Sequence, residues 1–269
     1  MRNRFVSFAL ISTALALPLG ALTWTSALAV EKVPYPEVKV DMAEAFQPDD
    51  AFKAMRNAFT AAVANKNAQA LFALVGSSFI WTVNGALSAD FNPGDNAVNN
   101  FKVVFGFRAP GATTDGGVDN GPFWDDLRYF AADGTFYKDA NVSNLICSPM
   151  LADVSDEDTF DEAGNKVDTA DDSTVWYITL AETTVTASPD PKAAVIGKVG
   201  TIALPLLNMH PAQEGNAPPP PTHLEVLLPS GKSGWIPVSA ARPMVSNRLC
   251  YAKTSAGKWA IVLFDEAGD

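Results

Sequence analysis

Histidine and cysteine each occur only twice in 269 residues, which removes most metal and nucleophile chemistry at the outset. His210 and His223 flank a proline-rich stretch and have no cysteine or acid pair at zinc spacing beside them. They read as solvent-facing or hydrogen-bonded imidazoles, not metal ligands. Neither Cys147 nor Cys250 stands in the local setting of a peptidase nucleophile. The chain has no Gly-rich phosphate loop, no nucleophile elbow and no calcium-loop order of acids. The reading is therefore of a non-enzyme, with no catalytic residue, no metal site and no cofactor. Positive charge is short as well, with 19 Lys and Arg against 30 Asp and Glu and a net charge of −11. Such a balance repels phosphate backbones and anionic lipid, which argues against a nucleic-acid partner. Beyond residue 29, no apolar run approaches the roughly 20 residues needed to cross a bilayer.

The first 29 residues differ in kind. Arg2 and Arg4 precede a mainly apolar run from Phe5 to Trp24, and Ala27-Leu28-Ala29 closes it in the form that signal peptidase accepts. Residues 1–29 thus read as a signal peptide cut after Ala29, with the rest of the chain in a periplasm. An oxidising compartment makes a Cys147–Cys250 disulfide one reading and two buried thiols the other. Spacing alone does not choose between them.

The remaining chain divides by character. Apolar residues at three- and four-residue intervals between Ala51 and Val75 predict two helices broken near Asn65-Lys66-Asn67. Phe79–Val83 predicts a strand ending in an Asn84-Gly85 turn. Asn99–Phe107 fits either a short helix or a strand, and Pro122–Phe130 fits a helix with proline in its first turn. Residues 153–175, with nine acids between Asp153 and Asp172 and one lysine, read as a solvated acidic linker. Residues 176–243 are rich in short alternating strands and turns, and 244–269 predict a terminal hairpin. Residues 209–222 interrupt the strands and contain Pro218 to Pro221, a stiff connection.

Two segments carry a resemblance. Ser188–Val199 holds the turn "SPDPKAAVIGKV", and Val226–Ile236 reads VLLPSGKSGWI, a strand, a tight turn and a second strand opening on an aromatic. Together they resemble a bacterial SH3 (SH3b) domain of the extracytoplasmic type. With FWDDL at 123–127 and the closing GKWAIVLF, the chain resembles a family of uncharacterised secreted bacterial proteins with an SH3 domain near the C-terminus. The resemblance implies a small SH3-like β-barrel acting as a binding module, with Trp235, Lys232 and Pro189 on its contact surface and peptidoglycan or a periplasmic protein as partner.

The fold expectation is α+β: an N-terminal domain over 30–152, the barrel, and a hairpin that could pack back on the first part. The helix pair followed by FIWTVNG, with the C-terminal hairpin, is similar to the cone-shaped nuclear transport factor 2-like fold. That resemblance implies an alternative function, a small-molecule or catalytic pocket in the N-terminal domain. Its candidate polar groups are Asp90, Asp125 and Asp126, while Phe59, Phe72, Phe79, Trp81, Phe101, Phe105, Phe107, Phe123 and Trp124 read as core. Neither the oligomeric state nor the ligand is legible.

Overall fold

The computed structural model describes residues 33–107, 124–167, 176–212 and 220–267. The signal-peptide reading and most of the proline-rich connection lie outside the described residues. Residues 32–269 make one compact unit.

Among the described residues the α-helices are α1 (Asp50–Ala64), α2 (Ala68–Phe72), α3 (Ala97–Val104), α4 (Trp124–Ala132) and α5 (Glu157–Val167). Local chemistry sets their starts. The side chains of Asp49, Asn67 and Asn96 accept from the backbone N–H groups of Phe52, Ala70 and Asn99, so each first turn finds a partner for an otherwise orphaned donor. The strands form two sheets. One is six-stranded, in the order β3 (Ala86–Leu87), β2 (Val75–Val83), β15 (Trp259–Glu266), β14 (Arg248–Lys253), β5 (Ile146–Ser148), β4 (Tyr137–Lys138). All its pairs are antiparallel except β15 with β2. The second runs β13 (Ala241–Pro243), β7 (Trp176–Thr179), β10 (Ile202–His210), β11 (His223–Leu227), β12 (Ser233–Pro237), β8 (Thr183–Thr186), β9 (Val195–Val199). To it β1 (Val38–Met42) adds through β10 and carries β6 (Ala152–Val154) on its other side.

Strand exceeds helix, 36% to 25%, and the larger sheet is a curled antiparallel half-barrel. That overturns the expected fold class. There is no helical or α+β N-terminal domain, nuclear transport factor 2-like or otherwise, followed by an SH3-like barrel. Helices α1 to α4 pack on a sheet whose central strands β14 and β15 come from beyond residue 247, so the terminal hairpin does return to the first part, and one core joins Phe52, Phe59, Phe101 and Phe130 to Leu249, Tyr251, Ile261 and Phe264. The larger sheet likewise draws β1 from the N-terminal part. Strand alternation shows which face is buried but not which strand is the partner.

The acidic linker is a second correction. Within it β6 pairs with β1, and α5 buries Ala163, Gly164 and Val167 beneath Trp176 and Tyr35. Four of its acids, Glu157, Asp158, Asp161 and Glu162, lie on the exposed side of α5, and residues 168–175 lie outside the described part.

The two sheets are tied by a buried ion pair. Arg242 on β13 donates through Nε to Asp133 just past α4 at 2.8 Å, and the Asp133 side chain is only 2% exposed. Cys147 and Cys250 sit directly opposite each other on β5 and β14 and form a disulfide, the first of the two readings left open above.

Candidate functional site

Among the sequence-derived site residues, Trp235 occupies the most suggestive position. On β11, β12 and β8 burial alternates: Leu224, Val226, Ile236 and Val185 are buried, while Glu225, Trp235 and Thr186 are partly exposed on the opposite face. That alternation turns the indole away from the core. Gly234 lets β8 and β9 close over the inner side, since a Cβ there would fall 2.3 Å from Val185 Cγ1 and 2.8 Å from Ile196 Cδ1.

Strand register then places a row of side chains across the sheet. Asn208 on β10 pairs with Glu225 on β11, Glu225 with Trp235 on β12, Trp235 with Thr186 on β8, and Thr186 with Val195 on the edge strand β9. Both ends of the row are open to solvent, Val195 being 64% exposed. Beside it, His210 and His223 are paired across β10 and β11, and the His210 ring meets the Trp235 ring edge-on at 6.1 Å. The Glu225 carboxylate accepts from the Ser233 hydroxyl at 3.0 Å, and the Thr186 hydroxyl donates to the Ser188 carbonyl at 2.8 Å. Across these five strands Glu225 is the sole acid and Lys198 the sole Lys or Arg. Lys198 is engaged by Glu182. The face is thus nearly neutral and rich in hydrogen-bonding groups around one aromatic.

Lys232 lies exposed in the β11–β12 turn and Pro189 partly exposed in the β8–β9 turn. Antiparallel register puts those two turns at the same end of neighbouring strands, beyond Trp235. The row's other members were missed because alternation marks them as outward-facing without giving the register that aligns them.

The remaining candidates do not converge. Asp125 and Asp126 lie on the solvent side of α4, with Asp125 paired to Arg128, and Asp90 is exposed in the loop after β3. Partial burial and the neighbouring Asp125 raise the Asp126 carboxyl above its ordinary value. The space between helices and sheet is filled by aromatic rings, Phe72, Phe79, Phe101, Phe105 and Phe107 among them. A separate open cavity of about 1000 Å³ runs past Met42, Tyr137, Leu145, Arg248, Lys253 and Trp259. Its strongest polar groups are already satisfied: Asp49 accepts from Phe52 N, Lys253 and Trp259. Among the described residues no three His, Cys, Asp or Glu side chains are placed to hold a metal ion.

Compared with protein-family models, with curated proteins and with solved structures, the chain matches none. The SH3b resemblance therefore rests on its two motifs alone. The disulfide, together with the absence among the described residues of a helix long and apolar enough to cross a membrane, is compatible with an extracytoplasmic location.

Proposed function

We propose that the protein is a non-enzymatic, envelope-associated binding protein of the periplasm, and that the outer face of its curled sheet contacts peptidoglycan. The observation that carries this reading is the Trp235 row: a partly exposed indole at the centre of a five-strand line of side chains, flanked by hydrogen-bonding groups. An amphipathic ring held on a rigid strand contributes contact area at little entropic cost, which is how aromatic anchors work at binding surfaces. The segments that resemble SH3b motifs build this sheet, and the N-terminal sequence reads as an export signal. Both support the same reading.

The test is retention of residues 30–269 on purified peptidoglycan sacculi at two salt concentrations, beside Trp235→Ala. Retention of the wild type at both, with loss in the variant, is the expected result. Absence of retention at either salt would discard the wall as partner and leave a periplasmic protein as the alternative ligand for the same face.

A further inference from the structure

We infer that the ligand of this face is a neutral glycan strand lying across the β-strands along the Asn208–Glu225–Trp235–Thr186–Val195 row. The inference rests on the wall-binding reading above and sharpens it from wall to polysaccharide.

Three observations favour a glycan over a wall peptide. First, β11, β12 and β8 each lie between two neighbouring strands, β12 and β8 meeting through the Trp235–Thr186 pair, so what this face presents is side chains. A peptide reads a sheet through an edge; a sugar polymer needs only donors and acceptors and a flat apolar surface. Second, the row supplies that set in order. Asn208 offers an amide, Glu225 a carboxylate with acceptor capacity beyond its bond from Ser233, and Thr186 an oxygen whose own proton is used on Ser188. Trp235 offers a ring face for the C–H side of a pyranose, and exposed Val195 a contact for an acetamido methyl. Third, charge decides the class. Wall peptides carry carboxylates, whereas this chain carries net charge −11 and its row has one acid and no cation. A neutral polymer meets no such repulsion. Five strands at about 4.8 Å per step give a row of about 19 Å, long enough for roughly four sugar rings.

The experiment uses the β-linked tetramer of N-acetylglucosamine as probe, titrated calorimetrically into residues 30–269 and used as competitor against sacculi, with a soluble wall tetrapeptide in a parallel arm. Trp235→Ala tests the centre of the row, and Asn208→Ala tests its end at an exposed position. Expected are binding of the tetramer, displacement from sacculi by the tetramer and not by the peptide, at least roughly tenfold weakening in Trp235→Ala, and about fivefold in Asn208→Ala. Retention on sacculi that only the peptide displaces, or that neither probe displaces, overturns the glycan assignment while leaving wall binding intact. Tetramer binding unchanged in Asn208→Ala overturns the crosswise placement. Failure on both sacculi and tetramer overturns the two readings together.

Discussion

Arg56 is a cation buried in α1, and among the described residues no carboxylate pairs with it. Its guanidinium donates to the Tyr251 hydroxyl and the Phe130 carbonyl at 2.6 Å each and to the Asp133 carbonyl at 3.0 Å. It also lies 5.1 to 5.4 Å from the ring centres of Phe59, Phe136 and Tyr251. The Phe130 and Asp133 carbonyls belong to the negative end of α4, so a side chain from another helix serves as its cap. Arg56→Met would strand three acceptors in the core and is expected to cost about 3 kcal/mol in urea unfolding. Arg56→Lys, with no planar fork, should restore only part of that. Asp265 supplies a pH prediction. Burial alone would raise its carboxyl, but hydrogen bonds from the Thr82 hydroxyl, the Arg248 guanidinium and the Gly85 N–H outweigh that and hold it below the ordinary carboxylate range. Its folded value therefore lies under its unfolded one. The stabilisation is complete above the unfolded value of about 4 and is lost as pH falls through the folded one. Asp265→Asn should flatten the fall in urea midpoint between about pH 6 and about pH 3, and an unchanged profile would assign the acid sensitivity elsewhere.

Among the elements, the curled sheet depends on the closeness that Gly234 permits. A methyl at that position would meet Val185 and Ile196 below 3.0 Å, so the β8–β9 hairpin must shift. Gly234→Ala is expected to destabilise by about 1–3 kcal/mol in thermal unfolding, with relief when Val185 is also changed to Ala. Such local devices were partly legible in the sequence. The apolar spacing and its break at Asn65-Lys66-Asn67 marked α1 and α2, and the turn residues between Leu227 and Ser233 marked the β11–β12 hairpin. Asn84 and Gly85 both adopt positive φ, the left-handed turn that their pair announces. Helix α5 was missed although Phe160, Ala163, Gly164 and Val167 recur at helical spacing, because the acids around them dominated the composition. Of the candidate site, Trp235 was legible and its row was not, since hydrogen-bond register is a property of strand pairs.

The whole molecule is closed by contacts between distant parts of the chain. The Cys147–Cys250 disulfide spans 103 positions, and a loop of that length corresponds to about 4.7 kcal/mol of unfolded-chain entropy. Replacing both cysteines by serine is expected to lower stability by roughly that amount, visible as a drop in urea midpoint, while the β5–β14 pairing persists. Deleting residues 244–269 goes further, because β15 is a central strand between β2 and β14. The helices would lose the surface they pack on, so hydrogen exchange should show α1 and α3 unprotected; a protected pair would mean that the helical layer stands alone. Thr82 and Asp265, bonded side by side in the finished sheet, are separated by 183 positions. A growing polypeptide therefore cannot complete this sheet piecemeal as it is made. Closure waits for β15, which makes folding a late, slow and nearly all-or-none event. Until then β2 presents an unpaired edge to the aggregation that such edges invite.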